Sequence, residues 1–95
     1  MTIAPSVLAS FVDDIAFVAE EPPAATPQEF VEQLGTASER LEGARINGAE
    51  DLETAATYLA DAVTATGARR KHLTDQAVSY LKYTADMVGE YRLMI

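Results

Sequence analysis

The groups able to do chemistry in this chain are one histidine, a few adjacent carboxylates and a short basic run. His72 is the single histidine, and it closes the run Arg69-Arg70-Lys71-His72. Imidazole can act as a general base or a metal ligand, but here no cysteine, second histidine or Glu-x-x-His spacing accompanies it. A zinc or di-iron ligand set is therefore not expected, and His72 reads as a surface member of the basic run. Asp13-Asp14 and Glu20-Glu21 are adjacent carboxylate pairs. Acid–base or glycosidic chemistry needs two carboxyl groups aimed at one point, whereas neighbours on a helix diverge by about 100°. These acids are expected to form a solvated face. The serines have no histidine but His72 and no nucleophile-elbow glycines, and no glycine-rich loop follows a strand to hold a phosphate. The expectation is a protein that is not an enzyme and has no cofactor or metal.

The same acids are distributed very unevenly. Residues 1–39 carry seven of them, Asp13, Asp14, Glu20, Glu21, Glu29, Glu32 and Glu39, without one lysine or arginine, while the remaining 56 residues are nearly balanced. Almost all of the net charge of −8 thus lies in one end of the chain. Such asymmetry governs encounter rates and partner choice rather than fold. Asp13, Asp14, Glu20, Glu21, Glu29 and Glu32 form a candidate acidic surface. Arg69, Arg70 and Lys71 form a candidate basic cluster, and since the sequence pI is near 4.4, nonspecific affinity for nucleic acid should be weak. The cluster is expected instead to pair with the acidic amino-terminal half, within one chain or between chains.

The elements that must position these groups are all helical. At 95 residues, with 48% hydrophobic and 23% charged side chains, the chain suits one globular domain over residues 1–95. The absence of cysteine excludes disulfides and leaves the redox compartment unread, with the cytoplasm as the default. Met1 to Pro5 has no basic segment, and Asp13-Asp14 cuts the apolar stretch that follows, so neither a signal peptide nor a membrane span is expected. The predicted fold is all-α, a small bundle of three to four helices at about 6–20, 27–45, 49–66 and 68–92.

Ser6 can cap the first helix, which places Val7, Leu8, Phe11, Val12, Ile15, Val18 and Ala19 on one face. Pro22 and Pro23 break it and define a proline-rich linker over 20–26. Thr26-Pro27-Gln28-Glu29 is a capping box that starts the second helix, whose apolar positions are Phe30, Leu34, Ala37, Leu41 and Ala44. Asn47, with Glu50 three residues on, is expected to cap the third helix. From Leu52 to Tyr91 an apolar stripe continues at spacings of three or four. The stripe keeps its phase across Gly67, and three cations at the start of a new helix would oppose its dipole. Both facts favour one continuous or kinked helix over two, although Gly67 costs about 1 kcal/mol in a helix interior and a turn there is the alternative. A continuous helix over 49–92 would be about 65 Å long and would require a second chain to cover it.

Some apolar side chains lie off these core stripes. Phe17 projects among the acids of the first helix, and we expect another chain or the Pro22-Pro23 linker to cover it. Tyr58, Tyr80, Tyr83, Met87 and Met94 flank the last stripe, which ends Leu93-Met94-Ile95. Aromatic and methionine side chains are enriched at interfaces. The function these features suggest is a helical protein–protein interaction module that forms a homo-oligomer or belongs to an assembly. The alternative is an acidic inhibitor or immunity-type protein that blocks a basic or nucleic-acid-binding surface with its carboxylates.

A length near 100, few aromatic residues, no cysteine and a mid-chain glycine turn resemble the helical-hairpin proteins exported by type VII secretion, which would imply a two-helix hairpin and an export route. The chain departs from that family's pattern. Arg45-Ile46-Asn47-Gly48 lacks the tryptophan of the Trp-x-Gly turn, no tyrosine is followed four residues later by Asp or Glu, and Pro22, Pro23 and Pro27 interrupt the first long helix. Acyl-carrier proteins are also small, acidic and helical, but the Asp-Ser-Leu tripeptide they require is absent.

Overall fold

The computed structural model describes the backbone of residues 6–94 and the side chains of residues 8–94. The Ser6 cap, the Val7 side chain and Ile95 lie outside the described residues. Five helices follow in order: α1 (Ser6–Ala19), α2 (Pro27–Gly43), α3 (Ala49–Thr64), α4 (Gly67–Leu81) and α5 (Thr84–Met94). No strand occurs among the described residues. The count exceeds the three to four expected from periodicity, and the two-helix hairpin implied by the type VII resemblance is not formed.

α2 is the central element because its buried positions are Phe30, Gln33, Leu34, Ala37, Ser38 and Leu41, the spacing of one helix face. Two of these six are polar, and each bonds a neighbouring segment. Gln33 Nε2 donates to the carbonyl of Pro22 (2.6 Å), and Ser38 Oγ donates to the carbonyl of Ala49 (2.8 Å). The first bond ties the linker to α2, and the second ties down the start of α3. α1 packs against α2 and α5, α2 against α3, and α3 against α4. Ile15, Val18, Phe30, Leu34, Leu41, Leu52 and Leu81 fill the shared core. Phe11, expected among them, is half-buried at its edge.

The start of α2 matches its sequence signature. The Glu29 amide donates to Thr26 Oγ1 (3.2 Å), while the Glu29 carboxylate reaches one residue further back than a simple capping box and accepts from the Ala25 amide (3.1 Å). Two helix ends share a device that the sequence did not advertise. At the end of α1, Glu20 takes φ 59° and the Glu21 amide donates to the Ala16 carbonyl. At the end of α2, Arg45 takes φ 61°, the Ile46 amide donates to the Leu41 carbonyl and the Arg45 amide to that of Glu42. This is the bonding of a Schellman motif, with a charged residue where glycine is usual. Ile46 and Leu41 are both buried, which supplies the hydrophobic contact that accompanies it.

Three expectations are corrected. Asn47 does not cap α3: Gly48 occupies the cap at φ 97°, without a side-chain hydrogen bond. Only glycine adopts that conformation cheaply, and its missing Cβ also leaves room for Met87, whose Sδ would lie 2.9 Å from it. The chain is not continuous from 49 to 92. Ala65 and Thr66 are extended and Gly67 has φ 58°, so α4 folds back onto α3. Thr66 and Arg70, which interrupt the apolar spacing between Val63 and Leu73, are exposed at that reversal and the turns that follow it. A second break at Lys82-Tyr83 directs α5 to α1. The Cα radius of gyration is 12.5 Å, against about 12.4 Å for a compact chain of this length. The need for a second chain to cover a long helix therefore disappears.

Gly35 lies inside α2 with open space where a Cβ would be, so Gly35→Ala should raise the unfolding free energy by about 0.5–1 kcal/mol. Gly48→Ala should lower it by about 1–2 kcal/mol through left-handed strain alone. Denaturant midpoints of the two variants measure both. The Thr84 side chain is fully buried and its Oγ1 has no hydrogen-bond partner. Thr84→Val keeps the shape and removes the buried hydroxyl, and a gain of about 1 kcal/mol is expected in the same assay.

Candidate functional site

The acids of the amino-terminal half fall into separate environments rather than one. Asp13 is exposed and Asp14 half-buried on α1. Glu20 is held by Arg40, with 2.9 Å between carboxylate and guanidinium. Arg40 is the first cation after the long acidic stretch, and it lies in the last turn of α2, where positive charge complements the helix dipole. Glu21, Glu29 and Glu32 line a hollow of about 370 Å³ between the linker and α2, whose other walls are Pro22, Pro23, Gln33 and Thr36. Gln33 is only 7% exposed, and while its Nε2 bonds Pro22, its Oε1 has no partner. Sequence reasoning did not single out Gln33. Its signal was its place on the same helix face as Phe30, Leu34 and Ala37.

The basic residues are at a corner. Every residue from Thr66 to His72 is exposed, so the first turns of α4 have no buried face. Lys71 pairs with Asp75 at 2.7 Å along the same helix. Arg69 and Arg70 join no ion pair among the described residues. α4 touches α1 little. The expected pairing of this cluster with the acidic half is thus not made among the described residues, because α4 folds along α3 and the one ion pair of the acidic half is made by Arg40. His72 is exposed beside Lys71.

The six candidate interface side chains also separate. Met87 is corrected to a core residue, 3% exposed and packed over Gly48, because the break at Lys82-Tyr83 turns that face of α5 inward. Tyr58 and Tyr80 are half-buried and stack on one another across α3 and α4, with centroids 5.8 Å apart. Tyr83 is exposed, with Lys82 Nζ 5.0 Å from its ring. Met94 is 59% exposed and its neighbour Leu93 is 88% exposed. Phe17 is covered in part by α5 instead of by the linker. Tyr91 meets it edge-on at 6.3 Å, the Arg92 guanidinium lies 4.4 Å from its centroid, and 36% of its surface stays open.

Among the described residues no group of three or more His, Cys, Asp or Glu side chains is placed to hold a metal ion. No helix there is long and apolar enough to cross a membrane. Among the described residues the geometry defines five packed helices whose surface includes an acidic hollow beside the linker, a basic corner and an apolar end on α5. Compared with known protein families, curated proteins and solved structures, the chain matches none.

Phe17 now has a measurable intramolecular role. Removing an edge-on aromatic pair and a cation–π contact by Phe17→Ala should lower the unfolding free energy by about 1–2 kcal/mol. Phe17→Ala should cost less in an Arg92→Ala background than in the parent, and strict additivity of the two variants would show that the ring and the guanidinium do not interact.

Proposed function

We propose that the protein is a non-enzymatic helical interaction module that assembles with copies of itself. The observation that carries the reading is the side chains that five packed helices leave outside. Leu93 and Met94 are exposed at the end of α5, next to Tyr91 and Arg92, which sit against the Phe17 ring. Leu93 and Met94 also border a hollow of about 340 Å³ whose floor includes Ala44 and Ile46. Large apolar and aromatic groups beside an arginine are the composition that dominates binding energy at protein interfaces. Burying Leu93 and Met94 against another surface would contribute about 1.5–3 kcal/mol each. That is more than the exposed ion pairs supply.

The second reading is an acidic protein that blocks a basic surface, and the hollow formed by Glu21, Glu29 and Glu32 supports it. Its binding would be fast and strongly salt-dependent, whereas apolar self-assembly through α5 tolerates salt.

Leu93→Ser combined with Met94→Ser tests the first reading by sedimentation velocity across micromolar to millimolar protein. The double variant should shift self-association at least tenfold to higher concentration and leave the denaturant midpoint nearly unchanged, because neither side chain lies in the core. A parent chain that stays monomeric throughout that range would exclude the proposal.

A further inference from the structure

The break between α4 and α5 is built from residues that suit a helix. We infer that α5 exchanges between two copies of the chain: the break at Lys82-Tyr83 straightens, α4 and α5 join as one helix, and each α5 fills the seat that its counterpart has left on the other copy. The inference goes beyond the surface contact of Leu93 and Met94, because it moves α5 as a whole.

The break differs from the other reversals of the chain. Those depend on left-handed residues, Arg45 and Gly48 between α2 and α3 and Gly67 between α3 and α4. Lys82 has helical angles already, φ −60° and ψ −23°, and the Tyr83 carbonyl accepts the Met87 amide as it would inside a helix. No glycine or proline occurs from Ala68 to Val88. The buried positions Leu73, Ala77, Leu81, Thr84 and Val88 keep spacings of three and four through the break. A single helix from Gly67 to Met94 would be about 42 Å long, and nothing in its sequence opposes it.

Thr84 adds an independent observation. Thr36, Thr54, Thr57 and Thr74 each donate Oγ1 to the carbonyl four residues earlier in their helix. For Thr84 that carbonyl belongs to Tyr80, on the far side of the break, and its buried Oγ1 has no partner. A buried hydroxyl without a partner is costly. Straightening brings the Tyr80 carbonyl to the place that the other four threonines use, so the closed break carries a local penalty that the exchanged form removes.

The seat names its occupant. α5 buries only Thr84, Met87 and Val88 and packs chiefly on α1, while α1 to α4 keep their contacts with one another when it leaves. The vacated surface is specific. The bare Cα of Gly48 receives Met87, and Phe17 receives Tyr91 and Arg92. A straight helix carries α5 away from its own seat, so the segment that fits there is the α5 of a second copy. Reciprocal exchange leaves no seat empty and closes as a two-fold dimer. It is a low-cost route to assembly, because the contacts are those of the monomer made between chains.

The test uses the full chain, which has no cysteine of its own, with Phe17→Cys and Arg92→Cys introduced together. The protein is held at millimolar concentration near its denaturant midpoint to release α5, returned to native buffer and separated by size. A short bifunctional thiol reagent then links the two introduced thiols. In exchanged dimers the link joins two chains and doubles the mass on a denaturing gel, whereas in monomers it stays within one chain. Dimers linked only within chains overturn the exchange and leave self-assembly through Leu93 and Met94 standing. A parent chain that is monomeric after this treatment overturns both. Variants of the parent at the exposed break give a second readout. Lys82→Gly with Tyr83→Gly disfavours a straight helix and should lower the dimer yield at least tenfold, while Lys82→Ala with Tyr83→Ala should raise it. Thr84→Val removes the hydroxyl that gains from straightening and should lower the yield as well. Equal yields from the parent and all three variants overturn the inference.

Discussion

The interaction on which the rest of the structure depends is the burial of one face of α2 together with its two polar members. Phe30, Leu34, Ala37 and Leu41 are essentially inaccessible to water, and burial of large side chains of this kind is worth about 1.5–3 kcal/mol each. Apolar burial has no direction, so it does not decide where neighbouring segments attach. Gln33 and Ser38 do. Their hydrogen bonds to the carbonyls of Pro22 and Ala49 hold the linker on one side and the first residue of α3 on the other. A net hydrogen bond contributes only about 0.5–1.5 kcal/mol, but a buried donor left without its acceptor costs more, so these two positions select one arrangement.

The consequences propagate along the chain. With Ala49 fixed by Ser38, the reversal between α2 and α3 must be completed by Arg45 and Gly48 in left-handed conformations. The bare Cα of Gly48 then becomes the surface on which Met87 lands, and Met87 draws α5 into the core. Once α5 lies against α1, Tyr91 and Arg92 come to cover Phe17. The surface left over at the end of α5 is thus a consequence of packing that begins on α2.

Charge follows a different logic. Among the described residues the only cation paired with an acid from the amino-terminal half is Arg40, which adjoins that half in sequence and lies in the last turn of the helix beside it. Arg69 and Arg70 are carried away by the α3–α4 reversal to a place where the helix dipole and their neighbours both repel them. Exposed charges of this kind add little to folding, which leaves them free to act in encounters. The molecule accordingly keeps its apolar remainder, its acceptors and its donors on different surfaces.

Much of this was legible in the residues themselves. Period-3.6 spacing identified an all-helical chain, Pro22-Pro23 marked the linker, and Thr26-Pro27-Gln28-Glu29 marked the start of α2, because these signals act through local sterics and neighbouring amides. The acidic character of Glu21, Glu29 and Glu32 was equally plain, but not that they share a hollow with Gln33, since that depends on how the linker folds onto α2. The break at Lys82-Tyr83 left no trace. No glycine or proline occurs from Ala68 to Val88, and Leu81, Thr84, Met87 and Val88 point inward on both sides of the break. Apolar spacing records which face of a helix is buried, not the direction of its axis, so a turn that preserves the phase is invisible to it. The residues alone determined the helical class, the cap of α2 and the segregation of charge. Only tertiary packing decided where the axes turn, because that choice rests on contacts between residues far apart in the chain: Met87 against Gly48, α5 against α1, and α4 against α3.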